Sequence, residues 1–407
     1  MRCRHCNSEV LSQFVDLGYA PPSNSYLTVD TLSLPEKHFP LKVSVCNKCW
    51  LVQTEDYADR SELFNKDYAY FSSTSKSWVE HARHYVNNIV EKIQITRDSY
   101  VVEIASNDGY LLEFFLKKGI PCLGIEPTDS TADIAEKKGI SVLRKFFGLE
   151  LAKQLNSQNR TADLIIGNNV FAHVPNINDF TRGLKCLLKH GGTITLEFPH
   201  LLNLIKHSQF DTIYHEHFSY LSLGVVIKIF ESCDLRIFDV EKISTHGGSL
   251  RIYAAHADDP RQTNKRVTDL LLEEHIQGLN CKKTYDSFQN SIDIVKNNAL
   301  DFLISQKNQG KSVAGYGAAA KGSTLLNYAG IKPDLLPYIC DAAESKIGKY
   351  MPGSRIPILS PTLLFEKNPD YLVIFPWNIA EEVIFANEQL RTLGTQFVIF
   401  VPSLKYL

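Results

Sequence analysis

The sequence predicts an α/β protein that opens with a four-cysteine zinc module and continues as two doubly wound, mainly parallel sheets. Three observations carry this. Two C-x-x-C pairs, Cys3/Cys6 and Cys46/Cys49, stand near the start of the chain. From Tyr100 onward, strand-like and helix-like segments alternate, the pattern of parallel strands covered by helices. Near the other end, "KSVAGYGAAAKGSTLLNYAG" repeats the same strand, tight turn and helix. The chain has 407 residues, enough for two or three domains of ~100–200 residues each, and is 44% hydrophobic, enough for packed cores. The expected division is a zinc module over 1–75, a first α/β unit over 76–257, a helical bridge over 258–310 and a second α/β unit over 311–407.

In the N-terminal module, a two-residue gap lets both sulfurs of a pair converge on one ion. Cys3, Cys6, Cys46 and Cys49 then supply the four thiolates of a tetrahedral zinc site. Four thiolates leave no open coordination position, so the zinc is expected to hold the fold and do no chemistry. The remaining five cysteines stand alone in apolar or helical surroundings and read as packing residues. The charge balance, 43 basic against 45 acidic side chains, speaks against a strong electrostatic hold on nucleic acid or anionic lipid. No run approaches the ~20 apolar residues of a spanning helix, and "MRCRHCNSEV" lacks the apolar stretch of a signal peptide. A cytoplasmic protein with reduced thiols is therefore expected, with neither nucleic acid nor membrane as partner. Nothing in the sequence fixes an oligomeric state.

The first α/β unit begins with "YVVEIASNDGYLLEFFLKKGIPCLGIEPT". Val101, Val102 and Ile104 form a strand, Leu111, Leu112, Phe115 and Leu116 mark one helix face, and "CLGIEP" is a second strand ending at Glu126. "ADLIIGNN" and "GGTITLEFPH" supply further strands, and ligands of such sheets bind beyond the strand C-termini. The turn Glu103, Ser106, Asn107, Asp108, Gly109 resembles motif I of S-adenosylmethionine methyltransferases, with Ala105 where most such enzymes carry glycine. Glu126 then stands where an acid accepts from the ribose hydroxyls. Asn168 and Asn169, at the end of the next strand, either contact the cofactor or cap the following helix. A dinucleotide fold is the rival, but its G-x-G-x-x-G is absent.

"DTIYHEHFSY" packs Tyr214, His215, Glu216, His217 and Tyr220 into residues 211–220. In an extended segment His215 and His217 share one face, with Tyr214 and Glu216 on the other. By itself the stretch reads as a metal site, a proton-transfer site or a polar turn. No H-E-x-x-H pattern completes a metal site.

The ordered set of motifs, a thiolate zinc module, "VVEIASNDGYLL", "NNVFAHVPNINDF", "YHEHFSYLSL", "THGGSLRIY" and "GYGAAAKGSTLLN", resembles the sugar C-methyltransferases that build branched deoxysugars. The resemblance covers essentially the whole chain. It implies a Rossmann-like methyltransferase core, a C-terminal Rossmann-like domain and S-adenosylmethionine as methyl donor. The implied partner is a nucleotide-linked 4-keto-6-deoxy sugar, carried on thymidine or guanosine diphosphate and methylated at C3. It also implies that His217 is the base and places Tyr214, Glu216, His173 and Tyr68 around the sugar. Carbon methylation requires a carbon nucleophile. A histidine poised near neutral pH suits removal of a proton next to a ketone, and hydrogen-bond donors then stabilise the enolate oxygen.

The bridge segments "DPRQTNKRVTDLLLEEHIQGL" and "SFQNSIDIVKNNALDFLISQ" have apolar residues at helical spacing. In the second α/β unit, the amides of Ala318–Gly322 and the cation of Lys321 suit a diphosphate at a helix N-terminus. Asp341, at a strand end, is a candidate for the nucleoside and Arg355 for the phosphates. His246 and Arg251 are candidates for the diphosphate from the core side. Three competing functions remain open on sequence grounds: O- or N-methylation of a sugar, a zinc-module RNA-binding methyltransferase, and a non-catalytic nucleotide-sugar binder.

Overall fold

The computed structural model describes residues 1–55, 57 and 71–407. The N-terminal unit is built on β1 (Leu11–Ala20), β2 (Phe39–Cys46) and β3 (Val52–Thr54), paired antiparallel in that order. Its residues face two ways. Phe14, Val15, Leu41 and Val43 join one core with the bridge and the C-terminal unit, whereas Cys3, Cys46, Cys49 and Leu51 join the core of the central unit. The module is thus wedged between its two larger neighbours.

The central unit runs α1 (Lys76–Lys92), β4 (Val101–Ile104), α2 (Leu112–Lys117), β5 (Cys122–Ile125), α3 (Asp129–Lys137) and β6 (Ser141–Leu143). It continues with α4 (Leu149–Ser157), β7 (Ala162–Asn168), α5 (Ile177–Leu187), β8 (Leu188–Pro199), α6 (Leu201–Lys206), β9 (Ser219–Tyr220), α7 (Leu223–Glu231), β10 (Leu235–Ile243) and β11 (Ser249–His256). Local chemistry starts several of these helices. The hydroxyl of Ser75 accepts from the Trp78 amide at the start of α1, that of Ser222 from Val225 at α7, and the Asn176 side chain from Asp179 at α5. In α1 the buried residues Trp78, Ala82, Tyr85, Val86 and Ile89 fall on one face, as a helix packed on a sheet requires.

The sheet order is β10-β11-β8-β7-β4-β5-β6, and β8-β7-β4-β5-β6 are parallel. The chain leaves β4 toward β5 on one side and returns to β7 on the other. The crevice beyond β4 and β7 is the topological switch point, where ligands of such sheets bind. β9 belongs elsewhere: it pairs antiparallel with β3 and completes the N-terminal sheet.

Three helices form the bridge, α8 (Lys265–Ile276), α9 (Lys282–Asp286) and α10 (Phe288–Asn308). The last unit follows: β12 (Val313–Tyr316), α11 (Ala320–Ala329), β13 (Ile339–Cys340), β14 (Ile358–Leu359), α12 (Thr362–Lys367), β15 (Tyr371–Ile374), α13 (Ala380–Ala386), α14 (Glu388–Thr392), β16 (Gln396–Ile399) and β17 (Lys405–Tyr406). Its order, β14-β13-β12-β15-β16-β17, is parallel except for β17 and repeats the topology of the central sheet, with its own switch point between β12 and β15. Among the described residues, no helix is long and apolar enough to cross a membrane.

Candidate active site

A cavity of about 410 Å³ lies between the two switch points. Ala105, Asn107, Glu126, Asn168 and Asn169 line it from the ends of β4, β5 and β7, and Ala319, Ala320, Lys321, Pro376 and Asn378 from the ends of β12 and β15. Between them stand His173, Tyr214, Glu216, His217 and His246. Asn24, Tyr26 and Trp78 add further wall.

The motif I turn is shaped by left-handed backbone. Ala105 has φ +57°, Asn107 +49° and Gly109 +73°. Ala105 therefore adopts the conformation glycine would supply, at a cost of about 1–2 kcal/mol, and its amide is tied to Ile125 O at 2.8 Å. A Cβ at Gly109 would collide with Ile140. The carboxylate of Glu126 accepts from the amides of Asn107 (3.0 Å) and Thr128 (2.9 Å) and faces the cavity. Burial raises its pKa, against the amides that favour the charged form. Both polar atoms of the Asn168 side chain, two strands away on the same cavity wall, are buried without a hydrogen-bond partner. An unpaired amide and a ribose-type acceptor lining one switch-point crevice fit S-adenosylmethionine.

Other motif I residues lie beneath the turn. Asp108 accepts from the amide and hydroxyl of Ser73, and Asn107 from the amide of Ser72 at 2.9 Å. Ser106 is fully buried. Glu103 is 1% exposed, its carboxyl held well above the usual range by burial and by the charges of Asp108, Glu126 and Glu197.

The YHEH stretch is a turn, not the extended segment considered from sequence. The His217 amide donates to Tyr214 O at 2.9 Å, and this throws the two histidines apart. The His215 ring reaches Pro40 O (3.2 Å) in the N-terminal unit, away from the cavity lining. His217 Nδ1 meets Thr212 O at 2.8 Å. A carbonyl only accepts, so Nδ1 carries the proton and Nε2 is left with the lone pair. Burial, together with the neighbouring His173, holds the His217 pKa well below its ordinary 6.5, so the ring is neutral at pH 7. Burial likewise takes His173 and His246 down to about 4. The His173 ring packs edge-on to His217, with centroids 4.6 Å apart, and the Tyr214 ring lies 4.0 Å from it. Burial pushes the Glu216 carboxyl up to about 7.

Contacts from three sides aim this turn. Thr54 Oγ1 donates to His217 O (3.0 Å), and Thr54 N to Phe218 O (3.2 Å), from β3. On the C-terminal side, Thr324 Oγ1 of α11 donates to Ile213 O at 2.8 Å. The Trp377 indole donates to Asp211 at 2.7 Å, and its ring lies so close over Gly247 that any Cβ there would collide with it. Lys321, half-buried and lowered to about 8 by desolvation, donates to Asn378 Oδ1 at 2.6 Å and is attracted by Asp211.

Several sequence candidates lie elsewhere. Arg251 is not on the cavity wall. In mid-β11 it faces Glu197 on β8 and Glu241 on β10 and donates to both, with its guanidinium over Tyr85. Arg355 sits by Glu36, 4.0 Å away, outside the cavity. Asp341 lies one layer behind the wall, where its carboxylate accepts from the amides of Ala318 (2.7 Å) and Ala343 (2.8 Å) and shapes the small-residue turn. Tyr68 falls outside the described residues. Sequence reasoning missed Asn24, Tyr26, Trp78, Lys346 and Asn378. Only the aromatic-polar "PPSNSY" hinted at the first two.

The sulfurs of Cys3, Cys6, Cys46 and Cys49 all lie within 4.8 Å of one another, the closest pairs 3.5 Å apart. Sulfurs ~2.3 Å from a central ion span such distances. Both cysteine pairs close in the same way: Asn7 N donates to Cys3 O (3.0 Å) and Trp50 N to Cys46 O (2.8 Å), and both donors are left-handed, at φ +58° and +72°. The four residues fit zinc.

Three family models match successive parts of the chain: a zinc binding domain over residues 3–64, a methyltransferase domain over 78–240 and a C-methyltransferase C-terminal domain over 244–402. The chain is 35% identical over 401 residues to the C-methyltransferase NovU of Streptomyces niveus, covering 98% of this chain and 95% of that protein. Among solved structures, an S-adenosylmethionine-dependent methyltransferase of Clostridium acetobutylicum overlaps at a TM-score of 0.36 and 12% identity, over 44% of this chain and 92% of that one. Magnesium protoporphyrin IX methyltransferase of Synechocystis with bound S-adenosylmethionine overlaps at 0.33 and 15%, over 44% and 81%. The chain belongs to the C-methyltransferase family, with S-adenosylmethionine as methyl donor and a zinc ion in its N-terminal module.

Proposed function

We propose that the enzyme methylates C3 of a 4-keto-6-deoxy sugar linked to thymidine or guanosine diphosphate, with His217 as the base. The observation that carries this reading is the fixed tautomer of His217: Nδ1–H is spent on Thr212 O, and Nε2 is a neutral acceptor on a residue of the cavity wall. O- and N-acceptors bring their own lone pairs, whereas a sugar carbon must first lose a proton. S-adenosylmethionine supplies the activated methyl group. Glu126, Asn168, Asn169 and the Ser106–Gly109 turn with Glu103 beneath it would hold that cofactor in the first switch point.

His217 takes the C3 proton at Nε2. Tyr214, Tyr68 and the neutral His173 are the proposed donors to the enolate oxygen, and Glu216 accepts from a sugar hydroxyl. Lys321 and the turn at Ala318–Ala320, shaped by Asp341, face the diphosphate, and His246 closes the cavity from the core side. Arg251 and Arg355 act through the framework. In this reading the chain divides at 75/76, 257/258 and 310/311, with β9 of the second segment lent to the N-terminal sheet, and the free thiols suit the cytoplasm. The test is incubation with S-adenosylmethionine and a panel of 4-keto-6-deoxy nucleotide sugars, followed by mass spectrometry of the products. A gain of one methyl group on carbon is expected. Turnover confined to sugar hydroxyls or amines would overturn the reading.

A further inference from the structure

Asn24 belongs to no motif of the sequence, yet it stands on the cavity wall. It lies on a strap between β1 and β2 that reaches from the N-terminal unit to the C-terminal one. Tyr26 on this strap donates its hydroxyl to Ala318 O at 2.6 Å, and Leu27 and Tyr350 exchange backbone bonds of 3.0 and 2.8 Å. The strap thus forms part of the cavity wall and is fastened to the C-terminal unit. From it, Asn24 Nδ2 donates to both oxygens of Glu216, at 2.8 and 3.1 Å. Glu216 is 2% exposed, and a buried carboxylate without a donor would take up a proton.

The other titratable groups on the wall are engaged differently. His217, His173 and His246 are neutral through burial. Lys321 donates to Asn378, Lys346 to Ala318 O (2.9 Å) and Asp341 (3.4 Å), and Lys145 to Gln154 (3.4 Å), while the Tyr110 ring stacks on Trp78. Tyr26 is occupied with Ala318 O, and Glu126 with the amides of its own turn. Tyr214 lies against His217. Asn24 is therefore the side chain placed to favour the ionised form of Glu216.

We propose that Asn24 is a positioning residue of the methyl-transfer reaction: it holds Glu216 as an oriented carboxylate, and so lets the zinc-bearing unit set the pH range in which the enzyme works. This rests on the reading of His217 as base. Once that ring has taken a proton, a cation stands in a buried cavity that already holds Lys321. An ionised Glu216 on the same wall offsets that charge and accepts from the sugar. A protonated Glu216 does neither.

The experiment compares wild type, Asn24→Ala, Asn24→Ser and Glu216→Gln in two ways. First, turnover of a 4-keto-6-deoxy nucleotide sugar is followed from pH 5.5 to 9. Losing a hydrogen bond to a charged group should move the acid limb of Asn24→Ala up by about one to two pH units. Turnover should return to within a few-fold of wild type at the alkaline end. Asn24→Ser, which keeps a short donor, should shift less, and Glu216→Gln should lose this limb. Second, the infrared carboxyl band of the substrate-free proteins, identified by its absence in Glu216→Gln, should titrate at correspondingly higher pH in Asn24→Ala. If Asn24→Ala lowers turnover equally at every pH and its carboxyl band titrates as in wild type, the proposal is wrong. If wild type turns over no such sugar, the proposed function fails, and the infrared titration still decides whether Asn24 governs Glu216.

Discussion

Removing one zinc ligand, Cys46, should disable proton transfer at His217, 171 residues away in sequence. Cys46 ends β2, β2 pairs with β3, and β3 pairs with β9, just after the turn that carries His217. Two further threads run from the other cysteine pair. Arg4, between Cys3 and Cys6, donates to Thr54 O and to Pro175 O, each at 2.9 Å, and Pro175 follows the turn that carries His173. With Thr54 bonded to His217 O and Phe218 O, these contacts fasten both histidines to the zinc knuckle. At about 1 kcal/mol net each, the four bonds are worth about 4 kcal/mol, roughly a thousandfold in the population of the aligned site. The metal contributes more to the module itself, since its binding free energy is folding free energy. Cys46→Ser should therefore lose zinc by elemental analysis and show an earlier first calorimetric transition. Solvent deuterium exchange at C3 should slow by at least about tenfold. Affinity for S-adenosylmethionine, which depends on the ends of β4, β5 and β7, should change far less. A zinc-free variant with wild-type melting and wild-type exchange would refute the argument.

Other predictions concern the two ligands and the proton. Glu126→Ala should weaken S-adenosylmethionine binding by about 1–3 kcal/mol while leaving nucleotide-sugar affinity nearly unchanged; calorimetry showing the reverse would mean that the two α/β units have exchanged roles. His217→Asn should bind both ligands and lose C3 exchange along with turnover, because asparagine keeps polarity but accepts no proton; retained exchange would remove His217 from its role. Since burial lowers the His217 pKa, its neutral form persists well below pH 6.5, and a loss of activity near neutrality should track Glu216 instead. That limb should vanish in Glu216→Gln. Base and methyl donor are expected on opposite faces of the sugar, giving inverted configuration at C3; retention, read by NMR of the product, would mean that base and methyl donor share a face and would remove His217 from its role.

What could be read from sequence was what is written locally. Paired cysteines two residues apart, apolar strands followed by small-residue turns, and the helix face of Leu111, Leu112 and Phe115 depend on near neighbours, and each reappears in the fold, although Leu116, read onto the same face, is exposed. The twofold use of one topology was visible for the same reason. What required partners distant in the chain was not legible. Arg251 looked like a free cation near a glycine turn, but its cross-strand neighbours are both acids, and strand pairing cannot be read from one strand. Asn24 lies 192 residues from the glutamate it holds, on a loop without periodicity. Alternation put His215 and His217 on one face of an extended segment, and only the resemblance set His217 apart; the turn that separates them is not disclosed by a pattern of alternating residues.

The same non-local contacts explain why three units must meet around one cavity. A histidine on a β-turn has little to hold it, for the turn itself contributes one backbone bond, from His217 N to Tyr214 O. Proton transfer needs the ring held to a fraction of an ångström and a fixed tautomer. The tautomer comes from Thr212 O, whose segment is held in turn by Trp377 on Asp211 and by Thr324 on Ile213, both from the C-terminal unit. The far end of the turn is held by Thr54 of the zinc-bearing unit, and the neighbouring carboxylate by Asn24 of that same unit. The central unit supplies the proposed catalytic side chains and part of their alignment, from Ala172 O on Phe218 N and from Thr212 O on His217. A methyltransferase core cut from this chain would keep those bonds and its crevice at β4 and β7, but His217 would lose its full aim, because the contacts of Thr54, Asn24, Thr324 and Trp377 would leave with the flanking units.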